Sequence, residues 1–103
     1  MKIQLLYFTG CPSWQQAIGN LEAALKEEDI TAEPELIRVD SESEADRLKF
    51  LGSPHFRVNG VDLWPEKRDQ YALNCRLYPT PEGMRGVPTV PMIVQQLRGF
   101  KEA

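Results

Sequence analysis

Residues 2–8, Lys-Ile-Gln-Leu-Leu-Tyr-Phe, form an apolar and aromatic run that leads straight into a helical pattern. The run reads as a strand buried on both faces. No other feature constrains the chain as much, because such a strand needs neighbours on both edges and cover on both sides. Thr9-Gly10 ends the run. Pro12 sits where a helix begins, since proline lacks only an N–H that has no partner there. Trp14, Ala17, Ile18, Leu21 and Leu25 then recur at helical spacing, with Gln15, Gln16, Asn20, Glu22 and Lys26 between them. This predicts a helix over 12–28 with one buried stripe.

The pattern continues as alternating strand and helix. Residues 35–39 read as a second strand ended by Asp40. Ser41 and Glu44 form a capping box for a short helix through Ala45, Leu48 and Leu51, closed by Gly52. His55–Val58 and Val61–Trp64 flank Asn59-Gly60, the strongest short hairpin signal. Residues 65–89 carry Pro65, Pro79, Pro81, Gly83, Gly86 and Pro88 and read mostly as loop, with a short extended piece at 74–78. From about Pro91 a last helix places Ile93, Val94, Leu97 and Phe100 on one face. The order β-α-β-α-β-β, an extra loop, then α predicts an α/β fold with a four-stranded mixed sheet and helices on both faces. Residues 1–103 suit one domain of that kind.

Composition narrows the function classes. Apolar residues make up 42% and charged residues 26%, close to the globular average. A net charge of −3 and no basic tract speak against nucleic acid as a partner. No run approaches the roughly 18 apolar residues of a membrane helix, and the first residues read as a strand rather than a signal peptide. A cytoplasmic location is the expectation. There is no Gly-rich phosphate loop, no Ser-His-Asp order and no HExxH, so no cofactor is indicated. The 2 cysteines, Cys11 and Cys75, do not make a secreted disulfide scaffold. In a reducing compartment they are reactive, ligating or buried.

Cys11 falls at the predicted N-cap of the first helix. Unpaired N–H groups and the positive end of the helix dipole favour its thiolate there. Cysteine is not a favoured cap, so chemistry explains it better than capping does. Tyr7-Phe8-Thr9-Gly10-Cys11-Pro12-Ser13-Trp14 resembles the active-site turn of the thioredoxin-like and glutaredoxin-like superfamily. Leu51-Gly52-Ser53-Pro54 falls where that superfamily carries its cis-proline loop. The resemblance covers residues 1–64 and, loosely, the last helix. It implies a thioredoxin-like fold with Pro54 cis against Cys11. It also implies a partner site around Pro12, Trp14, Ser53 and Pro54. The sequence departs from the dithiol pattern where Trp14 takes the place of the second cysteine. A sulfur at Cys11 then needs glutathione, a protein thiol or Cys75 as partner. Trp14 itself is expected to pack in the core and partly cover Cys11.

Asn74-Cys75-Arg76-Leu77-Tyr78, with Gly86-Val87-Pro88 and the closing helix, is similar to the tail of small thioredoxin-like proteins related to alkylmercury lyase. That resemblance implies a pairing of Cys11 with Cys75 and a soft metal ion as a possible ligand. The lyase's proton-donating carboxylate is replaced by Trp14, so carbon–mercury cleavage is not implied. By its own residue type, Cys75 fits a buried apolar position on a short strand equally well. His55 follows Pro54 and is either a base or ligand near Cys11 or a structural residue turned away by strand alternation. No short-range ligand spacing supports a structural zinc. Arg76 and Arg85 either lower a thiol pKa and bind an anionic thiol such as glutathione, or are simply solvated. Glu42, Glu44 and Asp46 read as a solvated helix N-terminus. Three functions remain. The leading one is thiol–disulfide redox, with Cys11 attacking and Cys75 resolving. The others are soft-metal or organomercurial binding through both cysteines, and an interaction module without thiol chemistry that presents Trp64, Tyr71 and residues 79–91.

Overall fold

The computed structural model describes residues 1–101. Its central strand is β1 (Ile3–Tyr7), paired in parallel with β2 (Glu35–Arg38) on one edge and antiparallel with β3 (His55–Val58) on the other. A short strand β4 (Val61–Asp62) continues from β3, so the sheet order is β2-β1-β3-β4. Strand alternation sends Ile3 and Leu5 to one face and Leu6 to the other. On the first face they join Phe56, Val58 and the inner residues of two helices, α1 (Trp14–Glu27) and α3 (Val90–Lys101). On the second face Leu6 joins Val39, Phe50 and Ala45 of the helix α2 (Glu42–Leu48). The α/β class, the mixed four-stranded sheet and the helices on both faces are therefore as expected. No helix among the described residues is long and apolar enough to cross a membrane.

The element ends follow from local chemistry. α1 begins at Trp14 with Ser13 as N-cap, so Cys11 is not the cap residue that the sequence predicts. The first helical bond runs from Ala17 N–H to Ser13 O at 3.1 Å, which places the helix start two residues beyond Pro12. Cys11 instead closes a turn, its N–H donating to Phe8 O at 3.2 Å. α2 is capped as predicted, with Ser41 Oγ accepting from Glu44 N–H at 3.1 Å. Glu44 reaches back to the N–H of Asp40 rather than Ser41. The helix ends at Lys49, whose φ of 54° is left-handed, and not at Leu51–Gly52. Asn59 and Gly60, at φ 53° and 81°, make the predicted tight turn. β4 stops short of Trp64 because the Asp62 side chain turns back to accept the Trp64 N–H at 2.6 Å.

Residues 65–89 hold more structure than expected. β5 (Tyr78–Thr80) and β6 (Gly83–Arg85) form a separate two-stranded hairpin. Its sequence signal is weak because Pro79 sits in the middle of β5. α3 packs on α1, and its last turn is tied to the end of α1 where Arg98 Nε and Lys101 Nζ bond Glu28.

Candidate functional site

The turn that ends β1 brings Cys11 to the loop before β3. Cys11 is 0% exposed, and its Sγ donates to Ser53 O at 3.4 Å. Ser53 and Pro54 are buried and the bond between them is cis. The same loop is bonded by a distant part of the chain. Ser53 N–H donates to Asn74 O at 2.9 Å, and Arg76 N–H donates to Ser53 O at 2.9 Å. Cys75 lies between those two residues and forms an isolated parallel bridge with Ser53. Both backbone hydrogen-bonding groups of Ser53 are thus occupied from within. Ser53 O accepts from Cys11 and from the Cys75 segment at once.

Ser53 joins the two cysteines, since it accepts from Cys11 Sγ and is bridged to Cys75. The Cys75 thiol is pushed up to about 11, first by its contact with the Cys11 side chain, then by burial and by the charge Cys11 would carry. Both cysteines are free, with Cys11 buried and Cys75 exposed. Cys75 is exposed, so its reading as a buried core residue is corrected. Trp14 is half-buried and stacks on Tyr7, with ring centroids 4.2 Å apart. It belongs to neither core cluster, so its expected place in the core is corrected. Pro12 is exposed beside the turn. The chain leaving β6 runs close by, since a Cβ on Gly86 would stand 2.5 Å from Ser13 Oγ.

His55 does not reach toward Cys11. Its Nδ1 accepts the Leu51 N–H at 3.1 Å, which assigns its proton to Nε2. Nε2 lies 2.8 Å from Asp62 Oδ2 in a close but poorly aligned contact. Burial pushes the His55 pKa down, against the pull of Asp62, so the ring is neutral at pH 7. Nδ1 is occupied and Nε2 faces Asp62, an arrangement that fits the structural reading of His55.

Arg76 is buried at 4% exposure rather than solvated. Its Nη1 donates to Asp62 Oδ2 at 3.1 Å and its Nη2 to Trp64 O. The guanidinium also lies over the Tyr78 ring, 5.0 Å from its centroid. It is not free to bind an anion. Burial alone would raise the Asp62 carboxyl, but His55 foremost, then Arg76 and the Trp64 N–H, hold it below its ordinary value. Arg85 is exposed, as a solvated residue would be. Asp62 and Tyr78, whose hydroxyl donates to Pro54 O, are site residues the sequence reading missed. Sequence patterning could not find them, because residues 75–79 turn Arg76 inward and Leu77 outward, the reverse of an ordinary amphipathic strand.

Gly52 makes the junction possible. Its φ is +115°, and a Cβ there would stand 3.1 Å from Arg76 N and 3.0 Å from Arg76 Cβ. Gly52→Ala is expected to cost about 1–3 kcal/mol and to pry the Cys75 segment from Ser53. Urea denaturation would give the cost, and faster alkylation of Cys11 in the folded protein would report the opening. A variant with unchanged stability and protection would show that the close approach is not needed.

The described residues contain no group of three or more His, Cys, Asp or Glu placed to hold a metal ion. No protein-family model matches the chain, and no match was found among curated proteins or solved structures.

Proposed function

We propose that the chain is a thioredoxin-like thiol–disulfide protein whose redox couple is Cys11 and Cys75. The observation that carries this reading is the convergence of both cysteines on Ser53, which accepts from Cys11 Sγ and bridges Cys75 although the three residues are far apart in sequence. The sheet order, with α1 and α3 on one face and α2 on the other, supports the fold assignment. A reducing cytoplasm would keep the resting pair as two thiols.

Exposure reverses the order of attack expected from the sequence. Cys11 is inaccessible beneath its partner segment, so Cys75 meets an incoming disulfide first. A pKa of about 11 leaves Cys75 roughly a hundredfold less ionised near neutral pH than a thiol at its ordinary 9.0. The more basic thiolate is about tenfold more nucleophilic, so the net handicap is roughly tenfold. That slows attack, whereas complete burial prevents it. The Cys75 thiolate displaces one thiolate from a partner disulfide and forms a mixed disulfide. Cys11 loses its proton and attacks the Cys75 sulfur, releasing the second partner thiolate. The partner gains two electrons and the Cys11–Cys75 bond holds the oxidised state.

Peptide-mapped mass spectrometry in glutathione disulfide tests this. Wild type is expected to yield a Cys11–Cys75 cross-link, and Cys11→Ser a stable glutathione adduct on Cys75. Folded Cys75→Ser is expected to remain largely unmodified at Cys11. Ready glutathionylation of Cys11 in that variant would overturn the order of attack. Absence of any cross-link in wild type would overturn the redox reading.

The same sulfur pair favours a second reading, a soft ion held by two thiolates. With no third ligand in place among the described residues, such a site suits a two-coordinate ion rather than tetrahedral zinc. Stoichiometric mercury(II) binding that is lost in Cys75→Ser would support it. Equal binding by that variant would refute it.

A further inference from the structure

We propose that Arg76 is a positioning residue whose guanidinium, anchored on Asp62 and the Trp64 carbonyl, holds Cys75 over Cys11. This rests on the reading of the two cysteines as a redox couple and goes beyond it by naming what sets their proximity.

From Pro65 through Leu77, Arg76 is the single buried residue. Every other side chain in that stretch is exposed or partly so. Backbone bonds alone tie the segment to Ser53, one through Asn74 O and one through Arg76 N–H. Two such bonds at an isolated bridge make a weak attachment, because each contributes only about 1 kcal/mol net. The Arg76 side chain adds a second and stronger hold on the opposite side of the strand from Cys75. Asp62, which it pairs with, is itself only 9% exposed in its side chain and is also in contact with His55.

The contacts close a ring. Cys11 Sγ and Arg76 N–H share Ser53 O. The Arg76 guanidinium reaches Asp62, Asp62 faces His55 Nε2, and His55 Nδ1 accepts from Leu51 N–H, two residues before Ser53. The loop that receives Cys11 and the segment that carries Cys75 are therefore pinned to one buried carboxylate. An arginine suits this role through its planar fork, which serves a carboxylate and a carbonyl together while its face rests on Tyr78. A lysine supplies the charge without the fork.

The rate and equilibrium of an intramolecular disulfide depend on the effective concentration of one thiol at the other. In the balanced reaction, the two thiols and one glutathione disulfide give the Cys11–Cys75 disulfide and two glutathione thiols. Releasing the anchor lowers that effective concentration without touching either sulfur.

The test compares wild type, Arg76→Met and Arg76→Lys by two measurements. The first is the equilibrium constant of that exchange in glutathione buffers. The second is alkylation of Cys11 in the reduced protein at pH 8, with thermal unfolding followed alongside to subtract the unfolded population. Arg76→Met is expected to lower the equilibrium constant about tenfold or more and to raise Cys11 alkylation by at least tenfold. Arg76→Lys is expected to fall between it and wild type in both. An equilibrium constant within twofold of wild type, together with unchanged protection of Cys11, would overturn the proposal. If Arg76→Met does not fold, the lysine variant decides on the same two measurements. If wild type forms no Cys11–Cys75 disulfide, the redox reading fails by itself. The protection of Cys11 then still decides whether Arg76 holds the segment down.

Discussion

Replacing Asp62 with alanine is expected to lower folding stability by about 3–5 kcal/mol, the usual cost of removing one partner from a buried charged pair. The Asp62 carboxylate lies between His55 Nε2 at 2.8 Å and Arg76 Nη1 at 3.1 Å. Without it the Arg76 charge stays in the interior with the Trp64 carbonyl as its hydrogen-bond partner. His55 Nε2–H then loses the one acceptor close to it. Asp62→Asn preserves size and an acceptor but not charge, so its loss is expected to be smaller. Urea denaturation of both variants with matched m-values would measure this. A loss below about 1 kcal/mol for the alanine variant would mean that water replaces the carboxylate freely.

The same cluster makes the protein acid-sensitive, and the sign can be worked out group by group. His55 has a pKa lowered from its ordinary 6.5, chiefly by burial. As pH falls below 6.5 the unfolded chain binds a proton that the folded one refuses, so stability drops from there toward the folded pKa. Asp62 is also held below its ordinary 3.8. Its contribution is complete above that value and is lost as pH falls through its folded pKa. Both groups therefore act in the same direction, and His55 begins the loss.

The second large effect is on thiol reactivity. Alkylation of Cys75 in wild type is expected to rise about tenfold per pH unit from neutrality, with a midpoint near 11. Its contact with the Cys11 side chain is the foremost cause of that high value. Cys11→Ala removes both the contact and the potential charge and leaves only burial. The midpoint is expected to fall toward the ordinary 9.0. At pH 8 the gain in thiolate, offset in part by lower nucleophilicity, makes alkylation of Cys75 up to about tenfold faster. An unchanged midpoint in Cys11→Ala would separate the two sulfurs and remove the basis of both the redox and the soft-ion readings. The measurement needs only a time course at several pH values and does not depend on knowing the natural partner.

What the sequence determined by itself is local. The apolar run 2–8 became the central strand because every second-neighbour pattern in it is satisfied by a strand covered on both faces. Ser41 and Glu44 started a helix, and Asn59-Gly60 turned a hairpin, because each needs only neighbouring backbone groups to work. The tertiary structure decided the rest. Whether Cys75 meets Cys11 depends on a bridge to Ser53 that no periodicity encodes. Whether Arg76 is solvated or buried depends on Asp62 waiting on another strand. His55 turned out structural for the same reason, since the acceptor near its Nε2 comes from β4 and the donor to its Nδ1 from the preceding loop. Polar and sulfur side chains have no preferred neighbour along the chain. Their roles are assigned only when folding brings distant partners within bonding distance.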